Sequence, residues 1–162
     1  IDKALSLDPS LGEALCDRAM LKAMKGDISG AATDAEAAIR AEPRLARGHW
    51  ERGVLWMRQG NGVAAGTCLD EAIRLDPRSA DAFLARGQLQ LAAKEYEPAR
   101  DDFSKAIALA PKLAVAFAGR AEAHKRLRET AAAKADLEMA RDLQPVDPRT
   151  KRRAVTTSTL PP

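Results

Sequence analysis

The stretch "AIRLDP", Ala72 to Pro77, reads as the close of a helix: an apolar pair, a charge, then Asp and Pro to halt the chain. Its meaning comes from its echoes. "AIRAEP" stands 34 residues before it, at Ala38 to Pro43, and "AIALAP" 34 residues after it, at Ala106 to Pro111. Pro9, Pro43, Pro77, Pro111 and Pro145 all keep that 34-residue interval, and self-similarity at a fixed period governs every other reading of the chain. Twelve residues before each of the last four prolines stands an alanine (Ala31, Ala65, Ala99, Ala133), and five before each of the five stands another (Ala4, Ala38, Ala72, Ala106, Ala140). Arg18, Arg52, Arg86 and Arg120 recur in the same register, each followed by a small residue: Ala19, Gly53, Gly87 and Ala121.

Small residues at one place in every unit mark a close approach of two helices, and larger residues between them fill the seams. The pattern predicts two antiparallel helices per unit. In the third unit, Ala80 to Ala93 carries Phe83, Gly87, Leu89 and Gln90 at helical spacing. Lys94 and Glu95 turn the chain, and Tyr96 to Leu109 carries Ala99, Phe103, Ala106 and Ile107. Proline closes the unit, because it lacks an amide proton and pushes its predecessor out of the α region; the second helix must end near Asp76 or Ala110. Ser10 and Glu13 have capping-box spacing ahead of the first unit. Gly60, Gly62 and Gly66 crowd the turn and second helix of the second unit, and an interior helical Gly costs about 1 kcal/mol against Ala, so local looseness is expected there.

Composition bounds the function. The 162 residues are 46% hydrophobic, 30% charged and 4% aromatic, the balance of a globular chain. No run of about 18 apolar residues is present to span a membrane. The net charge of +3 belongs to residues 146–162, where Arg149, Lys151, Arg152 and Arg153 face only Asp147; the remainder holds 22 bases and 22 acids. A neutral body speaks against tracking a phosphate backbone. The "KRR" of the tail reads as a solvated terminus. One asparagine, Asn61, and an excess of Arg over Lys suggest a GC-rich, bacterial coding sequence.

A 34-residue helix-turn-helix unit with a small residue at its eighth place, alanines at its twentieth and twenty-seventh and proline at its thirty-second resembles the tetratricopeptide repeat family. The likeness covers four units, 12–45, 46–79, 80–113 and 114–147, with the end of a preceding unit in 1–11 and a basic, irregular tail in 148–162. Departures fall at the family's early tryptophan, here Leu15, His49, Phe83 and Phe117, and at the following aromatic, here Lys22, Trp56, Gln90 and His124. The resemblance implies an all-α, right-handed superhelical solenoid of antiparallel helix pairs. It further implies a concave groove, lined by the first helices, that binds a peptide, a helix or another protein without cofactor or metal.

The family's groove-facing places hold Cys16, Met20 and Met24 in the first unit, with Glu13 and Asp17 at the edge. The second unit offers Arg47, Trp50, Glu51, Val54, Met57 and Arg58; the third Asp81, Leu84, Ala85, Gln88, Leu91 and Ala92; the fourth Val115, Ala118, Gly119, Glu122, Lys125 and Arg126. Met20, Met24, Trp50, Val54, Met57, Leu84 and Leu91 would form an adaptable, apolar centre. Val54 and Leu84 can equally pack between units. Relatives that grip a chaperone's C-terminal carboxylate use Lys, Asn and Arg donors at fixed places. Here one frame gives Cys16, Met20, Glu51, Asp81 and Ala85, and the next gives Trp50, Val54, Ala85, Val115 and Gly119, so such a clamp is not expected.

Catalysis finds little footing. His49 and His124 fall at core-facing places two units apart, and Cys16 and Cys68 show no metal-ligand or redox spacing. "QGNGVAAG", Gln59 to Gly66, lacks the strand and the Lys of a phosphate loop, and Asp101 with Asp102 sits on a second helix. The arginine column is expected to pack its stems along seams and pair its guanidinium groups with carboxylates or helix ends. The alternative functions are nucleic-acid binding, as in the pentatricopeptide family with its 35-residue unit, and a regulatory or oligomerisation part of a larger protein. The chain opens in mid-unit, as a fragment would, and self-association through terminal repeat faces is expected.

Overall fold

The first helix of each unit starts 34 residues after the one before, and so does the second. The computed structural model describes Asp8 and residues 11–143. It contains α1 (Gly12–Met24), α2 (Ile28–Ala41), α3 (Ala46–Arg58), α4 (Gly62–Leu75), α5 (Ala80–Ala92), α6 (Tyr96–Leu109), α7 (Ala114–Arg126) and α8 (Thr130–Asp142). Ser10, Pro9, Pro145 and the basic tail lie outside the described residues.

Two local devices build each unit. Between its helices the chain passes through one left-handed residue, Gly26, Gly60, Lys94 or Arg128, with φ of +85°, +76°, +65° and +63°. The next amide in each case reaches back to close the helix end: Asp27 to Lys22, Asn61 to Trp56, Glu95 to Gln90 and Glu129 to His124. At the other end, proline acts as expected. Glu42, Asp76 and Ala110, each one residue ahead of a proline, are pulled to φ near −132° while still donating to the carbonyls of Ala38, Ala72 and Ala106.

The amide of Gly12, at the start of α1, is met by Glu42 Oε1 at 2.9 Å from just beyond the end of α2, and Glu13 pairs with Arg47; the capping box expected with Ser10 lies outside the described residues. The glycines of the second unit leave α4 continuous, because Gly60 serves the turn and Gly62 begins the helix, so only Gly66 is interior.

Packing follows the period. Ala31, Ala65 and Ala99, like Ala38 and Ala106, are fully buried. The eighth place of each unit and the twenty-fourth trade volume: Ala19 goes with Ala35, while Gly53 admits Leu69 and Gly87 admits Phe103. A Cβ on Gly53 would stand 2.8 Å from Leu69 Cγ, and one on Gly119 only 2.5 Å from Phe103 Cζ. Phe103 is thus gripped between glycines of α5 and α7.

Each helix packs on its unit partner and on the next helix in sequence, and the first helices also touch one another, α1 on α3, α3 on α5 and α5 on α7. Among the described helices, no such contact joins α2 to α4, α4 to α6 or α6 to α8. Closer spacing of first helices than of second helices curves the stack, with α1, α3, α5 and α7 on the inside.

Candidate functional site: the concave face

The inner face is therefore the surface shared by α1, α3, α5 and α7. At its opening end Met24 is 75% and Met20 39% exposed, an apolar, sulfur-bearing pair. Cys16, expected beside them, is fully buried with Leu15 and Ala38, and burial pushes its thiol up to about 12. It is core, and no contact for a partner.

On α3 the expected contacts divide. Arg47 is spent on α1: it donates to Glu13 Oε2 at 2.9 Å and to Asp17 Oδ1 at 2.6 Å. Arg58 is exposed and donates to the carbonyl of Ala23. Glu51 is buried, and burial before any charge raises its carboxyl to about 7; Oε1 has no hydrogen-bond partner, nor does the buried Nε1 of Trp50. Trp50 and Arg47 wall a cavity of about 230 Å³ completed by Ala46, Asp76, Ser79 and Asp81. Val54 is half-buried, and so is Met57, which opens onto a cleft with Gly60, Gly62, Leu89, Ala92 and Ala93.

Further along, half-buried Leu84 packs against the core clusters that hold Phe83 and Phe103, and Ala85 is buried; Gly119 lies against Phe103 and is half-buried. Gln88, Leu91 and Glu122 come together in a cavity of about 520 Å³ with Ala92, Lys94, Tyr96 and Arg126. Glu122 is bridged to Arg126 at 2.7 Å, which holds its carboxyl below the usual range. Tyr96 and Lys94 were not among the expected residues, since they lie in the turn and at the start of a second helix; their signal was their place directly after the groove-facing Ala92. Among the described residues no group of acids, histidines or cysteines could hold a metal, and no helix is long and apolar enough to cross a membrane.

The arginine column runs behind this face. Arg18, Arg86 and Arg120 each grip the carboxylate sixteen residues ahead on their own second helix, Asp34, Asp102 and Asp136, through two bonds of 2.6 to 2.9 Å. Arg86 and Arg120 also reach sixteen residues back, to Asp70 and to the Ser104 hydroxyl. Arg52 finds Cys68 where the others find Asp, and pairs backward with Glu36 while lying 4.4 Å from the Trp56 ring centre. His49 bonds the Pro43 carbonyl and His124 the Glu129 carboxylate, both structural uses.

A stack of helix pairs curved around an inner apolar face defines a helical-repeat protein. The tetratricopeptide repeat model matches residues 16–68 and 64–114, and the chain belongs to that family. None of the curated proteins matches it. Among solved structures it is similar to MamA (TM-score 0.74, 19% identity, 95% of this chain and 86% of that one). It is also similar to the second repeat domain of Spaghetti (RPAP3) bound to the HSP90 peptide SRMEEVD (0.61, 28%, 64% and 96%). A third is YrrB, described as having an unusual peptide-binding site (0.69, 22%, 96% and 79%).

Proposed function

We propose that the concave face is a protein-interaction surface that takes a peptide or helix from a partner, and that the chain is a binding module or scaffold and not a catalyst. One observation carries the reading: Met20, Met24, Trp50, Met57 and Leu91 keep open or half-open apolar surface on consecutive inner helices that share one face, whereas the exposed apolar residues of the second helices, Val63, Leu109, Leu137 and Met139, are spread over three helices that do not touch one another. Clustered aromatic and thioether side chains are the anchors that protein interfaces favour. The peptide seen on the Spaghetti domain and the peptide site of YrrB support it by analogy. The chaperone-tail carboxylate is not the ligand on this reading, because its places hold buried Cys16 and Glu51 with Asp81, which would repel an anion.

The test compares the parent with a Met20→Ala, Trp50→Ala double variant in capture from lysate of the source cells at low and high salt. A protein held by the parent and lost by the variant at both salts supports a groove-binding adaptor. Equal capture by both, or nucleic acid released by salt, overturns it.

A further inference from the structure

We infer that the cavity between α3 and α5, walled by Trp50 and edged by Asp76, Ser79 and Asp81, receives a cationic side chain, Lys or Arg, of the bound partner. The inference rests on the groove reading and names the chemistry of one of its contacts.

Charge is the first argument. Glu13, Asp17, Asp76 and Asp81 surround a single guanidinium, that of Arg47, and two of the four, Glu13 and Asp17, already take both of its bonds. Among the described residues the Asp76 carboxylate accepts from the backbone amide of Arg78, at 2.9 Å, and from no side-chain cation, and Asp81 is exposed at the start of α5 with no side-chain cation on it. Even with Arg58, further along α3 and bonded to the Ala23 carbonyl, these carboxylates outnumber the guanidinium groups of α3 where the wall is aromatic. A guanidinium or ammonium gains from both, through the carboxylates and across the indole.

The second argument is an unmet need. Glu51, adjacent to Trp50, is 5% exposed and keeps Oε1 without a partner. The strongest charge acting on it is Arg47, one wall of the cavity, so the two share one electrostatic neighbourhood. Glu51 does not itself line the cavity, but a cation docked between Asp76 and Asp81, beside Arg47, adds positive potential to the neighbourhood of that unpartnered buried acceptor. A metal ion is a poorer occupant, since no group of acids in the described residues is arranged to ligate one. The volume, about 230 Å³, admits a single side chain and excludes a fold.

The probe is N-acetyl-arginine methylamide, with the norleucine and glutamate compounds as controls, titrated into the whole chain while the Trp50 indole N–H resonance is followed and assigned by Trp50→Phe. A saturable shift with the arginine compound alone, weakened about threefold or more by Asp81→Asn and reduced at high salt, is expected. Equal shifts with all three compounds, no saturable shift with arginine, or indifference to Asp81→Asn overturns the inference. If the double variant still loses its partner while the arginine compound leaves Trp50 unmoved, the groove reading stands and only the cation pocket falls.

Discussion

Glu51 carries a carboxyl that burial pushes up to about 7, with Arg47 and Arg58 pulling it down and Asp17 pushing it further up. In the unfolded chain the same group ionises near 4.5. Between those values the fold holds a proton that the unfolded chain has released, so stability falls as pH rises through the interval and levels off above it. At about 1.4 kcal/mol for each unit of pKa, the loss amounts to roughly 3 kcal/mol. Glu51→Gln removes it. In urea unfolding the variant should gain roughly 2 to 3 kcal/mol at pH 8 and less than about 1 kcal/mol at pH 5; equal gains at both pH values would show that Glu51 is not the group responsible. The sequence set Trp50 and Glu51 side by side on an inner helix. It did not show that Arg47 is neutralised, because Glu13 and Asp17 reach it from the previous unit, 34 and 30 residues away.

At the scale of the element, the bond that ties first helix to second is the arginine clamp. In three units the carboxylate of Asp34, Asp102 or Asp136 is nearly sealed from water by a guanidinium in forked contact. Burial disfavours the Asp34 anion, yet hydrogen bonds from Arg18 and Lys22 outweigh it and keep that carboxyl below its usual range. The second unit breaks the pattern at Cys68, where burial raises the thiol and leaves Arg52 without a forked partner on its own second helix. Restoring the clamp with Cys68→Asp should stabilise the chain by roughly 1 to 2 kcal/mol, read as a higher midpoint in thermal or urea unfolding. A lower midpoint would mean that Glu36 already satisfies Arg52 and that a second carboxylate there is a burden. The helix pairs and their boundaries were legible because proline and small residues act within a few positions of themselves. The clamp was legible only as a recurring Arg followed by a small residue: its partner sixteen residues on becomes visible once the turn between helices is fixed.

The whole molecule is held by neighbours, one seam at a time, and has no single centre. Leu137 stands at the place filled in earlier units by Ala35, Leu69 and Phe103, all fully buried, yet it is 56% exposed, and Met139 beside it 44%. At the opening end Leu21 and Met24 are similarly bare. If these faces meet in solution, sedimentation of the 162-residue chain should show mass rising with concentration, and Leu137→Lys should return it to the monomer; a monomer at every concentration would remove the proposal. The curvature that makes a groove was not legible from composition or period. It comes from the first helices touching across units while the second helices stand apart, a property of the stack and of no one repeat.

That curvature carries the central claim, that partners bind on the inside. The direct measurement is site-specific photo-crosslinking in the source cells, with the reactive side chain placed at Met24 on the inner helix α1 or at Val63 on the outer helix α4, two of the most exposed apolar positions. A discrete adduct from Met24, absent from Val63 and lost with Trp50→Ala, is the result this account predicts. An adduct from Val63 with none from Met24 would place the partner on the outer helices and contradict it.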